Sequence, residues 1–154
     1  MVFFAGIDNS VRALNLKTNQ LEFALYGHTD TVTDLSLSNS GDHLLSNAMD
    51  STVRMWDIRP YSEVPGRQVR VFTGASHNFE KNLLRCCWSG DDKLVSAGSA
   101  DRQCYIWNSE TGELRHRLGG HQGSVNATSL NKNGTLVASA SSDKSVILGE
   151  LSAE

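Results

Sequence analysis

The sequence predicts an all-β chain of repeated four-stranded units, and three observations predict it. First, within Leu44 to Pro60 (LLSNAMDSTVRMWDIRP), Asp50 follows Ser46 by four residues and Trp56 follows Asp50 by six. Second, the same spacing falls on Asp8 with Leu14, Asp101 with Trp107 and Asp143 with Gly149, the aspartates standing 42, 51 and 42 residues apart. Third, short β-favouring runs alternate with Gly, Asn, Asp and Ser turns, and no helix of useful length is apparent. A period of this length, with the Trp56-Asp57 pair closing a strand, implies sheets stacked as blades around an axis. The expected architecture is a partial β-propeller of about three and a half four-stranded antiparallel blades.

Taken in order, Phe3 to Ala5 reads as a strand within the apolar run Met1 to Ile7, Gly6 to Asn9 as a turn, and Val11 to Leu16 as a second strand. After the turn Lys17 to Gln20, Leu21 to Leu25 forms a third. The next unit opens at Val32 to Leu37, where Leu35 and Leu37 alternate with Ser36 and Ser38 as in a half-buried strand. The loop Asn39 to Asp42 leads to Leu44 to Ser46, a turn over Asn47 to Ser51, and Thr52 to Ile58. The third unit runs Leu83 to Trp88, Lys93 to Ala97, Gln103 to Trp107 and Leu114 to Leu118; the fourth Val125 to Leu130, Leu136 to Ala140 and Ser145 to Leu151. With strands lettered a to d, residues 1–26 hold b–c–d, 27–74 and 75–119 hold full blades, and 120–154 hold a–b–c of one propeller segment.

The irregular middle spacing is the same repeat with two insertions. Leu14 to His28 and Trp107 to His121 are each 14 residues, whereas Trp56 to His77 is 21. The seven extra residues fall in Arg59 to Gln68, which holds both prolines of the chain, residues suited to loops rather than central strands. Two more lie between His77 and Asp101, a gap of 24 against 22 elsewhere.

Composition narrows the functional classes. The 154 residues are 39% hydrophobic and 20% charged, as in an ordinary globular unit able to bury a sizeable core. Fourteen basic and seventeen acidic residues, interspersed, leave a net charge of −3. No basic stripe offers a direct grip on nucleic acid. Cys86, Cys87 and Cys104 form neither an even disulfide framework nor a CxxC pair, so they read as small buried side chains in a reducing compartment. The sequons at Asn126 and Asn133 are then accidental. The seven-residue run Met1 to Ile7 is too short for a signal peptide or a membrane span.

Gly27-His28 followed by Trp56-Asp57 resembles the WD-repeat family, and the resemblance covers essentially the whole chain. Within it, Asn47 to Met49 before Asp50, the run His77 to Ser89 (HNFEKNLLRCCWS), AGSADR and SASSDK resemble members that act in pre-mRNA splicing. The family implies a buried relay in which Asp bonds His, His bonds a Ser hydroxyl, and Ser takes the Trp indole N–H. Burying four polar groups requires each to find a partner. The second unit has the full set, His28, Ser46, Asp50 and Trp56. The third keeps His77, Asp101 and Trp107 but has Ala97 in the serine position; the fourth keeps His121, Ser139 and Asp143 but has Gly149 for Trp. The first keeps only Asp8, with Phe4 and Leu14 in the other two positions. The relay is expected complete in one blade and partial in three.

Ser46, His28 and Asp50 are also the residue types of a hydrolytic triad. That reading needs an exposed hydroxyl, an oxyanion hole and a nucleophile elbow, and no G-x-S-x-G is present. No catalytic residue, metal site or cofactor is therefore expected; the histidines lack ligand spacing and no Walker or dinucleotide glycine pattern occurs. Gly119 to Gly123 reads as an inter-blade turn and Arg115 to Arg117 as an exposed outer strand. Binding remains, carried by loops on a rigid scaffold. Candidate contacts are Asp30, Lys81 and Gly123 where the a strands begin, with Met49, Ala100 and Ser142 at the b–c turns; Pro60 to Gln68 lies at the opposite end.

The splicing resemblance implies a nuclear, non-catalytic scaffold, docked on a large central scaffold protein among other proteins of the spliceosome. The alternative is a WD-repeat adaptor of another complex, such as a ubiquitin-ligase substrate receptor. The family closes a ring, whereas this chain offers fourteen strands, so both terminal sheets are expected to expose edges and apolar faces open to pairing. A fragment of a longer propeller is the expected explanation, ahead of a short isoform or a ring closed by two copies.

Overall fold

In a computed structural model, residues 1–152 are described. Among them, fourteen strands form four antiparallel sheets, with a single 3-10 turn at Pro65–Arg67. The first sheet holds β1 (Val2–Ala5), β2 (Val11–Asn15) and β3 (Gln20–Leu25). The second holds β4 (Val32–Leu37), β5 (His43–Ala48), β6 (Thr52–Asp57) and β7 (Gln68–Phe72). The third holds β8 (Cys86–Trp88), β9 (Leu94–Gly98), β10 (Cys104–Asn108) and β11 (Leu114–Leu118). The fourth holds β12 (Val125–Leu130), β13 (Leu136–Ser141) and β14 (Val146–Glu150). Each sheet is a meander in chain order, and β8 runs beside both β4 and β12, so the first strands of the sheets gather together.

The period-2 alternation of side chains divides the core between sheets. In β10, Cys104 and Ile106 face the fourth sheet, with Val137 and Leu151, while Tyr105 and Trp107 face the second, with Val53, Met55 and Phe72. Leu44 and Trp56, with Val32 of their own sheet, point to Val11 and Leu25 of the first, while Leu45 and Met55 point to the third. The inner strands β5, β6, β9 and β10 are accordingly buried on both faces. The hairpins close on the repeated aspartates. Asp50, Asp101 and Asp143 each accept the amide of the residue two positions on, at 3.0, 3.2 and 2.9 Å. The intervening Ser51, Arg102 and Lys144 take positive φ, as does Asn9 after Asp8. This is an Asx-type turn, and it gives the aspartate a local reason to recur.

Three expectations need correction. β5 runs on through Asn47 and Ala48, leaving the turn to residues 49–51, because Asn47 pairs in register with Val53 and its side chain donates to the Leu84 carbonyl at 3.0 Å. β8 starts at Cys86 rather than Leu83: the backbone of Arg85 is split, its N–H bonding sideways to the Asn126 carbonyl at 2.9 Å while its carbonyl accepts from Gly98 of β9 at 3.2 Å. The long insertion is not all loop, since Gln68 already belongs to β7 and Pro65–Arg67 makes the 3-10 turn. At the outer sheets, β1 and β14 each pair on one side only, and Val2, Phe4, Val146 and Leu148 are exposed.

Candidate functional site

The second sheet brings His28, Ser46, Asp50 and Trp56 into one hydrogen-bonded chain. His28 Nδ1 lies 2.8 Å from Asp50 Oδ2, its Nε2 2.7 Å from Ser46 Oγ, and Trp56 Nε1 donates to the same oxygen at 2.8 Å. Proton bookkeeping admits one arrangement. An ionised carboxylate only accepts and an indole N–H only donates, so Nδ1 carries the imidazole proton and Nε2 accepts from the Ser46 hydroxyl. Burial holds the His28 pKa below its ordinary value despite the neighbouring carboxylate. Burial pushes the other way at Asp50, but bonds from Thr52, His28 and the Thr29 amide bring its pKa down. The pair is a neutral imidazole against a carboxylate.

His121, Ser139 and Asp143 repeat the pattern in the fourth sheet. Nε2 lies 2.9 Å from Ser139 Oγ, and Nδ1 is shared between Asp143 at 3.2 Å and Ser145 Oγ at 3.0 Å. Gly149 supplies no indole, and a Cβ there would lie 3.4 Å from Val137 Cγ1 and 3.9 Å from Leu118 Cδ1. Bonds from Ser145 and the Gln122 amide hold the Asp143 carboxyl well below the usual range.

The third sheet does not bring His77, Asp101 and Trp107 together. Tyr105 donates its hydroxyl to Asp101 Oδ2 at 2.6 Å and stacks on Trp107 with ring centroids 5.8 Å apart. Trp107 Nε1 donates to the Thr73 carbonyl at 3.1 Å, and Ser96, one position before Ala97, meets Thr128 Oγ1 at 2.7 Å. His77 is left with both ring nitrogens buried and without a partner, its backbone N–H held by Ser51 Oγ at 3.0 Å. Tyr105 stands two residues before Trp107, where the second sheet has Arg54 and the fourth Ile147. The signal was a single aromatic in a position that varies between units. In the first sheet Asp8 pairs with Arg12 instead.

The triad geometry of Ser46 is closed to chemistry. Its side chain has 0% exposure, and its oxygen already takes the indole N–H. An attacking hydroxyl needs access and a developing-charge site beside it. The Cys86 and Cys104 thiols are equally quiet: burial pushes Cys86 well up and Cys104 up to about 12. Among the described residues no group of three or more His, Cys, Asp or Glu is placed to hold a metal ion, and no helix is long and apolar enough to cross a membrane.

The loop candidates share one end of the sheets. Backbone bonds pin each b–c turn to the connection beside it: Met49 N–H to Thr31 at 2.8 Å, Ala100 N–H to Ser76 at 2.8 Å, Ser142 N–H to Ser124 at 3.0 Å. Asp30 is exposed and caps the Thr31 amide at 2.7 Å; Lys81 is exposed at φ 50°. Gly123 is held so close to the next turn that a Cβ there would sit 2.5 Å from Ser142 Oγ.

Sequence reasoning missed the bonds that join sheets and order the insertion. Asp92 accepts the Asn39 and Ser40 amides at 2.7 and 2.8 Å, and Asp34 accepts the Cys86 amide at 2.9 Å while burial raises its pKa. Asp57 is buried and accepts from the Arg59 amide, Nε and Nη2 and from Ser62 Oγ, which hold its carboxyl well below the usual range. Arg67 bonds the carbonyls of Asp57 and Arg59 and lies over the Phe23 ring at 4.2 Å.

Meanders of three or four strands stacked face to face, with hairpins closed on the repeated Asp, define a WD-repeat propeller segment, and the chain belongs to that family: the WD domain, G-beta repeat, matches residues 19–57, 66–108 and 112–148. Each matched unit starts near an outer strand and ends on the third strand of the next sheet, so one repeat straddles two blades. The chain is 47% identical over 150 residues to the human U5 small nuclear ribonucleoprotein 40 kDa protein, covering 97% of this chain and 42% of that protein. It is 44% identical over 170 residues to the Dictyostelium discoideum protein of that name, covering 82% and 48%, respectively. It is 43% identical over 150 residues to the pre-mRNA-splicing factor cwf17 of Schizosaccharomyces pombe, covering 97% and 44%. The chain thus spans less than half the length of these relatives.

Proposed function

We propose that this chain is a non-catalytic protein-interaction scaffold of the U5 small nuclear ribonucleoprotein, working in pre-mRNA splicing in the nucleus. The observation that carries the reading is the 47% identity to the U5 40 kDa protein over 97% of the chain. The physical features agree with it. Polar groups of the hydrolytic type are consumed inside the blades, where they stiffen the stack, and the loops at both ends are presented on a rigid frame. The partners proposed are proteins of the splicing particle, including its large central scaffold protein, with the loop candidates Asp30, Met49, Lys81, Ala100, Gly123 and Ser142 on the face offered to them.

Affinity purification of the tagged chain from nuclear extract, read by mass spectrometry, tests this. Enrichment of U5 particle proteins over an unrelated WD-repeat control is the expected result. Enrichment of cullin-type ligase machinery instead sinks it. A fluorophosphonate probe is expected to leave Ser46 unlabelled, and stoichiometric labelling contradicts the non-catalytic reading.

A further inference from the structure

The connection from β7 to β8 carries the two-residue surplus of the third unit, and it is tied down at several points. Glu80 and Lys81 donate their amides to Asn78 Oδ1 and its carbonyl, each at 3.1 Å. The Glu80 carboxylate takes Asn82 Nδ2 at 2.9 Å and, from the fourth sheet, Ser124 Oγ at 3.3 Å. Buried Leu84 presents its carbonyl to Thr33 Oγ1 and Asn47 Nδ2 of the second sheet at 2.9 and 3.0 Å. A segment bonded to the sheets on both sides nevertheless keeps Phe79 at 91% exposure and Leu83 at 65%. Neither side chain contributes to the core, so the apolar surface of each is open to a partner.

The polar surroundings specify what that is. His77, two residues before Phe79, has both ring nitrogens buried without a partner. The carboxylates of Asp30 and Asp50 lie close enough for their charge to act on its ring, opposing the effect of burial. Asp30 is exposed, and its hydrogen bond goes to the neighbouring Thr31 amide. Asp30 and Glu80 thus hold exposed carboxylates by this loop, beside Lys81, while Asp50 is engaged by His28, Thr29 and Thr52; a cation can pair with the exposed Asp30 carboxylate.

We propose that the β7–β8 connection is the docking anchor for a partner protein, taking a segment that combines an apolar side chain with a neighbouring Lys or Arg. The apolar side chain packs on Phe79 and Leu83, and the cation meets Asp30. Exposed aromatics held on ordered loops are the usual centres of binding energy, since little ordering remains to be done. The inference rests on the scaffold reading and names the surface that performs it.

The test compares the full chain with Phe79→Ala, Asp30→Asn and Tyr61→Ala. Tyr61 is 95% exposed on the other insertion, at the opposite end of the sheets, and serves as the matched control. Recovery of U5 particle proteins from nuclear extract is measured at two salt concentrations, beside a thermal melt of each variant. Phe79→Ala and Asp30→Asn are expected to lower recovery by about fivefold or more with unchanged melting. Tyr61→Ala is expected to match the wild type, and Asp30→Asn to flatten the salt dependence. Equal recovery by Phe79→Ala, an equal loss from Tyr61→Ala, or displacement by a single-stranded RNA oligomer overturns the anchor while leaving the scaffold reading standing. If the wild-type chain recovers no U5 proteins, the scaffold reading fails and the anchor with it.

Discussion

Ser46 is the residue on which the most polar groups converge, because one hydroxyl serves both the His28 imidazole and the Trp56 indole. Ser46→Ala strands two buried groups at about 1–3 kcal/mol each, whereas Ser139→Ala strands only the His121 nitrogen. Urea denaturation is therefore expected to show roughly twice the loss for Ser46→Ala as for Ser139→Ala. The third sheet makes the opposite test. By sequence spacing alone, Ala97→Ser completes a relay; in the structure Tyr105 already occupies Asp101 and Trp107 bonds Thr73. The new hydroxyl enters a fully buried position without its partners, so Ala97→Ser is expected to destabilise by about 1 kcal/mol, and a stabilised variant contradicts this placement. Which residues recur was legible because a fixed period repeats them. Whether a given histidine reaches its aspartate was not, because one neighbouring aromatic can take its place.

Burial depresses the pKa of both His28 and His77. In the unfolded chain an imidazole protonates near pH 6.5, so on acidification the unfolded state takes up protons first. Stability is then intact above about pH 6.5 and is lost as pH falls below it, before the carboxylates titrate. The urea midpoint should drop between pH 7.5 and 5.5, and His77→Gln should shallow that drop; a flat profile means neither ring is held neutral.

At the scale of elements, the β6–β7 insertion shows how a long loop becomes ordered. The buried Asp57 carboxylate collects four bonds from Arg59 and Ser62, and Arg67 closes the far end over Phe23. Asp57→Ala removes the collector. Limited trypsin digestion is expected to cut at Arg67 much earlier in this variant, with a stability loss of about 1.5–3 kcal/mol. Unchanged cleavage means the loop is ordered by other contacts. The insertion itself was visible as a surplus of seven residues with both prolines. Its latch was not, since no local pattern says that Asp57 turns back on the loop rather than joining the polar relay. The strand boundaries failed for the same physical reason: in Leu83 to Arg85 the Leu84 carbonyl and the Arg85 N–H are claimed by the neighbouring sheets.

At the scale of the whole molecule, cohesion comes from apolar seams between adjacent sheets, reinforced by long-range polar bonds such as Asp92 to Asn39 and Asp34 to Cys86. The architecture was readable from the period alone, because stacking is what buries both faces of each repeat. The surface proposed to meet a partner was readable only as a set of loops. Its character came from the exposure of Phe79 and Leu83, which depends on the folded arrangement. The central claim, a passive platform within a splicing particle, is tested most directly by sedimentation. A tagged chain in nuclear extract is run on a glycerol gradient, and its fractions are probed for the chain and for U5 RNA. Co-migration of the chain with U5 RNA, retained after an RNA-sparing nuclease control, is the predicted result; a chain confined to the top of the gradient contradicts it.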